Sequence, residues 1–249
     1  MSDAPAPPVT GANQRPVLRA RVERIFDHCA DTRSLFLRMT AGVLPRFVPG
    51  MFISVAIPLT GETRIRPYTI ASSPEDGEPF EICFNRVPGG LGARWLFERV
   101  AGDELTFTGP FGAFTLERAP AAETVLIAEG TAIAPLRPIL RRAIASATSH
   151  PITLLYAADR REHLLYAVEF EGLAAAHPEF HYEPLIPGGL DSAALYPRLL
   201  DEARRRWVTA DADRSRHFYI CGVGKGVLAL RDLLRTAGYE RRAVRYEQW

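Results

Sequence analysis

Apolar and polar positions change their rhythm once along this chain. From Val17 to about Leu116 the apolar residues come in strand-length runs: Val17–Val22, Ser34–Arg38, Met51–Ile57, Phe80–Arg86 and Glu104–Thr108, with clusters of Pro and Gly between them. Runs of this length, alternating or apolar and broken by turn formers, predict antiparallel strands closing into a barrel or sandwich. One helix interrupts them, Ala93–Val100, entered through Pro88-Gly89-Gly90-Leu91-Gly92. After Glu117-Arg118-Ala119-Pro120-Ala121-Ala122 the rhythm becomes strand–helix alternation. Strands are expected at Thr124–Ala128, Ile152–Tyr156, Phe180–Tyr182, His217–Ile220 and Ala243–Tyr246, and helices at Pro135–Ala147, Arg161–Ala175, Tyr196–Arg206 and Gly226–Ala237. Such alternation predicts a parallel sheet with helices on both faces and ligands at the carboxyl ends of its strands. The expected division is a disordered tail over 1–16, a first domain over 17–118 and a second over 119–249.

Composition narrows the function classes. With 47% hydrophobic and 24% charged residues the chain has the make-up of an ordinary soluble globule, and a net charge of +1 gives no electrostatic case for nucleic acid or an anionic membrane. Lys225 is the only lysine, which reads as genome composition. The opening segment is rich in Ala and Pro without an apolar core, so neither a signal peptide nor a membrane span is expected there. Cys29, Cys83 and Cys221 are too few and too scattered for a disulfide framework or a zinc site, and they exclude a cysteine-ligated iron–sulfur cluster within the chain. A reducing cytoplasm and no metal are expected. His177 and His181 are spaced for one helix face, but Pro178 breaks that helix and leaves them as surface residues.

Four stretches carry candidate chemistry. Arg66-Pro67-Tyr68-Thr69 combines a phosphate binder, a flat ring and a hydroxyl. Arg66 can fork onto phosphate oxygens, and Pro67 biases the segment toward extended backbone. Alternation on a strand puts Arg66 and Tyr68 on one face and turns Thr69 away, although a strand end can still aim its hydroxyl along the same ligand. Glu129-Gly130-Thr131-Ala132-Ile133-Ala134-Pro135 follows the first strand of the second half, where a helix start offers free N–H groups to a pyrophosphate. An ordinary strand–helix turn would read the same way. Ile220-Cys221-Gly222-Val223-Gly224-Lys225-Gly226 has neither P-loop nor dinucleotide-fingerprint spacing. Cys221 there is either a small buried residue or a thiol facing ligand at the sheet edge. Gly89-Gly90-Leu91-Gly92 is either a phosphate cradle or a plain connection. The final Trp249, behind Tyr246-Glu247-Gln248, is either a stacking ring or packed against the other domain.

Taken in order from Val17 to Trp249, these stretches resemble the ferredoxin–NADP reductase family of flavoproteins. Arg66-Pro67-Tyr68-Thr69 is similar to the family's Arg-x-Tyr-Ser/Thr flavin motif, and Gly130-Thr131-Ala132-x-x-Pro135 to its Gly-Thr-Gly-x-x-Pro nicotinamide motif. Cys221-Gly222 matches its Cys-Gly, and Glu247-x-Trp249 its Glu-x-aromatic ending. The resemblance implies a Greek-key flavin-binding β-barrel followed by a Rossmann-like NAD(P)-binding domain. It implies that Arg66 binds flavin phosphate, that Tyr68 stacks on the flavin ring beside Pro67, and that Thr69 bonds near its N5. Cys83 and the Gly90-Leu91-Gly92-Ala93 turn join this flavin set. Gly130, Thr131 and Pro135 serve the nicotinamide cofactor, as do Asp159 and Arg160 after the second parallel strand. Cys221, Gly222 and Glu247 border the transfer site, and Trp249 holds the place the nicotinamide must take. Thr69, Cys221, Glu247 and Trp249 are the residues expected at the reacting atoms.

The chain departs from the family at two positions. Ala93 stands where Ser or Thr is common, removing one phosphate hydrogen bond and leaving FMN as a lesser alternative to FAD. Ala132 replaces the second glycine of the nicotinamide motif. The implied activity is NAD(P)H-dependent reduction of the flavin, followed by electron release to a separate redox protein or oxygenase component. The alternatives are a flavin-bearing relay subunit without nicotinamide turnover, or a redox-sensing binding protein on the same fold. Arg160 and Arg161 are candidate NADPH contacts, but Pro184-Leu185-Ile186-Pro187 lacks a Ser-Arg pair, so NADH is favoured.

Overall fold

The computed structural model describes residues 16–87, 89–186 and 195–249. The tail expected over 1–16 lies, except for Pro16, outside the described residues. The first half contains β1 (Leu18–Cys29), β2 (Thr32–Met39), β3 (Phe52–Leu59), β4 (Glu62–Thr69), β5 (Phe80–Asn85), α1 (Leu91–Phe97) and β6 (Glu104–Phe111). All pairings among these strands are antiparallel, in the order β4-β3-β6-β1-β2-β5. A bridge between Ile70 and Ile82 joins the two ends of the sheet into a barrel. Its interior follows from period-two alternation: Ile53, Val55 and Ile57 point inward from β3, against Leu35, Leu37, Phe80, Ile82 and Phe107. α1 seals the barrel with Ala93 and Leu96.

The second half contains β7 (Thr124–Glu129), α2 (Ile133–Ala145), β8 (Ile152–Ala157), α3 (Ala167–Ala176), β9 (Phe180–Leu185), α4 (Leu195–Arg204), β10 (His217–Gly222), α5 (Lys225–Thr236) and β11 (Val244–Gln248). Its parallel sheet has the order β11-β10-β7-β8-β9. β7 is apolar on both faces because both are covered. Leu126 and Ala128 join the core under α2 and α3, while Val125 and Ile127 join the one under α4 and α5. Strand order reverses between β7 and β10, the point where a doubly wound sheet opens a crevice for ligand.

Two expectations shift. The helix expected over Arg161–Ala175 splits into a 3₁₀ turn (Arg161–His163) and α3, with Tyr166 between them at φ +59°. Leu164 and Leu165 are buried, and their burial turns the chain inward before α3 begins. α1 starts two residues earlier than expected and stops at Phe97, because Gly90 and not Gly92 precedes its first turn.

The halves share one core. Ala71 and Cys83 of the barrel pack with Phe114, Leu116 and the apolar face of α2. A buried ionic knot stands beside it. Arg137 on α2 donates to the Glu81 carboxylate at 2.8 Å, to the Ala71 carbonyl at 3.0 Å and to Glu169 at 2.8 Å. The hydroxyls of Ser34 and Tyr166 donate to the other Glu81 oxygen at 2.5 and 2.7 Å.

Candidate functional site

β4 and α1 build the first wall of a cavity of about 460 Å³ between the halves. Arg66, Pro67, Tyr68, Thr69, Cys83 and the run from Gly90 to Ala93 all line it, joined by Thr131, Ala132 and Trp249 from the second half. Arg66 and Tyr68 share the face of β4 that meets α1. A Cβ on Gly92 would stand 2.8 Å from Tyr68 Oη and 3.1 Å from Arg66 Cγ, so glycine is what lets the helix backbone close against them. Thr69 turns inward and is buried, yet still reaches the cavity wall. Arg66 donates from Nη1 to the Ile65 carbonyl at 2.9 Å, and no carboxylate among the described residues pairs with it. A guanidinium on a cavity wall without a counter-ion is a ready anion anchor. Tyr68 stands edge-on to Phe84 with centroids 5.7 Å apart, and burial pushes its phenol up to about 12, so it remains neutral. Burial likewise pushes the Cys83 thiol up to about 12.

The second half opens a smaller cavity of about 250 Å³ at the carboxyl ends of β7 and β8, lined by Glu129, Gly130, Thr131, Ala158, Asp159, Arg160 and His163 together with Asp31, Thr32 and Asn85 of the barrel. Gly130 has φ +52° with open space where a Cβ would stand, which leaves its backbone approachable. Thr131 Oγ1 donates to Asn85 Oδ1 at 3.2 Å, and both residues line both cavities, so this bridge is where the two meet. Asp159 Oδ1 is 2.5 Å from His163 Nδ1, and Arg160 lies 3.6 Å from both Asp159 and Glu162.

Several expected residues are not on these walls. Pro135 is buried in the first turn of α2, where its missing N–H costs nothing. Cys221 is buried, and Trp249 Nε1 donates to its Sγ at 3.3 Å. Glu247 pairs in register with Cys221 and lines a separate cavity with Ala113 and Phe114. Its Oε2 has no hydrogen-bond partner, and burial pushes the carboxyl up to about 7. Gly222 is covered by the Tyr196 ring, whose Oη accepts from the Val223 N–H at 2.9 Å; a Cβ on Gly222 or Gly226 would collide with that ring.

Asn85, Phe84 and Val87 line the cavities without having been expected there, Glu129 and Val223 lay in quoted stretches without a role, and Tyr196 was not expected over Gly222. A strand-end Asn and a helix-start Tyr carry no local signature, and tertiary placement alone gives them their positions. Ala132 was singled out as a departure. It takes helical φ −64° and ψ −7°, is buried, and lines the larger cavity.

The family model described as "Oxidoreductase FAD-binding domain" matches residues 19–116, and that described as "Oxidoreductase NAD-binding domain" matches residues 126–228. The chain is 29% identical over 222 residues to "Ferredoxin--NADP reductase B" of Sorangium cellulosum, covering 87% of this chain and 91% of that protein. It is 31% identical over 181 residues to "Aromatic O-demethylase, reductase subunit" of Amycolatopsis sp., covering 71% of this chain and 53% of that one. The crystal structure of Amycolatopsis cytochrome P450 reductase GcoB superposes with a TM-score of 0.80 at 27% identity, covering 96% of this chain and 72% of that one. A ferredoxin NADP+ reductase from Neisseria gonorrhoeae shares the fold at a TM-score of 0.78 and 18% identity, covering 93% of this chain and 98% of that one. This chain spans 53–66% of the length of the oxygenase reductase components it matches. It belongs to the ferredoxin–NADP reductase-like family of FAD- and NAD(P)-binding flavoprotein oxidoreductases.

Proposed function

We propose that this chain is an NAD(P)H-oxidising reductase that delivers electrons to a separate acceptor protein, an oxygenase component or a small redox protein. The observation that carries the reading is the junction at Asn85–Thr131, where the cavity walled by Arg66 and Tyr68 meets the one opened by Gly130 and Asp159. The residues present fit FAD. The unpaired Arg66 guanidinium and the Gly90–Ala93 backbone would hold its phosphates, while Tyr68 and Thr69 would hold the ring. When bound, FAD supplies a hydride acceptor that can release electrons singly.

The protein's part is placement, which in reactions between two bound rings is mostly an orientation problem. Gly130 and Thr131 would bind the phosphates of the nicotinamide nucleotide. Trp249, 40% exposed, with its ring bonded to Cys221 and edge-on to Phe52, would yield its place to the nicotinamide. NADH is favoured over NADPH: Arg160 faces Asp159 and Glu162, and Arg161 is 3.7 Å from Glu171, so the cations after β8 already have carboxylate neighbours. Ala132 does not favour the relay alternative, because alanine sits unstrained at its helical backbone position. No helix among the described residues is long and apolar enough to cross a membrane. Three free cysteines fit a reducing compartment, and we infer the cytoplasm.

The test is anaerobic. The purified protein, supplied with FAD, should be yellow and bleach on adding NADH, faster than with NADPH in stopped flow. A protein that takes up no flavin, or whose bound flavin stays oxidised with either nucleotide, overturns the reading.

A further inference from the structure

We propose that Cys29, Asp31 and His163 form a zinc-binding site that ties the β1–β2 hairpin to the turn following β8. Cys29 ends β1, Asp31 stands in the hairpin turn, and His163 closes the 3₁₀ turn Arg161–His163. No local spacing joins them, and the scatter of the cysteines had pointed away from a metal. In the folded chain one donor atom from each lies within 4.8 Å of the other two. Cys29 Sγ is 3.0 Å from Asp31 Oδ1, and that oxygen is 3.7 Å from His163 Nε2. A tetrahedral zinc ion with bonds of about 2.0–2.3 Å holds its ligand atoms about 3.3–3.7 Å apart. The three groups therefore need only modest shifts to occupy one face of such an ion.

The donor set decides the metal class. Thiolate, imidazole and carboxylate together suit zinc, whereas calcium and magnesium call for oxygen ligands alone. The hydrogen bonding of His163 is a second, independent indication. Asp159 engages Nδ1 at 2.5 Å, which leaves Nε2 directed at Asp31. A carboxylate holding one ring nitrogen fixes the tautomer and orients the other nitrogen toward a metal. His163 is 17% exposed and Asp31 47% exposed, so the imidazole is held in place while the carboxylate stands at the mouth. Asp31 and His163 line the same cavity, which gives the ion a way in and space for water as a fourth ligand, although Cys29 is not on that wall. Arg160 is on the same wall, but Asp159 and Glu162 offset its charge. Binding replaces the Cys29 S–H···Asp31 bond with two bonds to the metal, and the thiol proton leaves to water. The ion would cross-link the two halves beside Gly130 and Thr131. This inference stands on the cluster itself and does not depend on the flavin reading.

The experiment uses the flavin-loaded protein. Zinc is titrated against a chromophoric chelator, and metal content is measured after dialysis. One zinc per chain is expected, undisturbed by excess magnesium or calcium. Cys29→Ser and His163→Gln should each weaken binding at least tenfold, and Asp159→Asn about tenfold, as loss of an outer carboxylate does. Cobalt(II) in place of zinc should give tetrahedral-intensity bands at wavelengths beyond those of the flavin, absent in Cys29→Ser. Flavin absorbance confirms that each variant is folded, and zinc should raise Tm in the wild type but not in Cys29→Ser. Zinc bound equally by wild type and Cys29→Ser, or bound by neither, overturns the proposal and leaves the three groups a hydrogen-bonded contact only.

Discussion

At the scale of single residues, Glu247 has the clearest consequence. Its carboxyl is held up to about 7, against 4.5 for the free group, because burial penalises the charge and one oxygen finds no partner. The unfolded chain gives up this proton first. The stability associated with the neutral form is therefore fully present below about pH 4.5 and is lost as pH rises through about 7. Glu247→Gln should flatten that slope, matching wild-type Tm near pH 4.5 and exceeding it at pH 8 in thermal melts across pH. Equal melting at pH 8 would remove the argument. Ala132 gives a kinetic counterpart. It lines the larger cavity from an unstrained backbone, so Ala132→Gly should change kcat/KM for NADH by less than about threefold, or ~0.7 kcal/mol. Activity appearing only in the glycine variant would favour the relay alternative.

At the scale of elements, two glycine contacts decide how a helix meets a strand. Gly92 lets α1 lie against Arg66 and Tyr68, where a Cβ would come within 2.8 Å of Tyr68 Oη. Gly92→Ala should push Tyr68 aside and lower flavin retention at least tenfold, read by equilibrium dialysis of the cofactor. Gly222 lies beneath Tyr196, with Gly226 beside it at the start of α5. Gly222→Ala must displace that ring, at a cost of about 1–3 kcal/mol in urea denaturation, the range for overpacking a filled site. β10 was legible beforehand as an apolar run, and the Arg66–Thr69 end of β4 through Pro67 and the Arg-x-Tyr pair, whereas the rest of β4 is exposed and carries no alternation to read. Tyr196 was not legible, since nothing near it in sequence reports that it will cover a glycine on β10. The split of the helix expected over Arg161–Ala175 was hidden for the same reason: only contacts with the rest of the fold bury Leu164 and Leu165 at its break.

At the scale of the whole molecule, the ionic knot around Glu81 joins the halves. Glu81 is 3% exposed and accepts from Arg137, Ser34 and Tyr166, which come from α2, β2 and the approach to α3. Arg137→Ala would leave that carboxylate buried without its cation, which typically costs about 3–5 kcal/mol. Denaturant midpoints should fall accordingly, and a loss below about 1 kcal/mol would mean that water or Tyr166 already satisfies Glu81. Because the knot spans both halves, its loss should also loosen the Asn85–Thr131 junction and raise the KM for nicotinamide.

What the sequence determined by itself was local and periodic. It contained the change from a strand rhythm to strand–helix alternation, the Arg66–Thr69 and Gly130–Pro135 motifs, and hence the family. Tertiary structure alone decided which of those residues face a cavity: Tyr68 and Thr131 do, whereas Cys221 and Glu247 sit behind Trp249 or beside a different opening. It also decided that Cys29 meets His163 and that Arg137 meets Glu81. Alternation and turn chemistry act over a few residues and are written along the chain. Contacts between residues more than fifty positions apart depend on how sheets and helices close, and no short stretch of sequence carries that information.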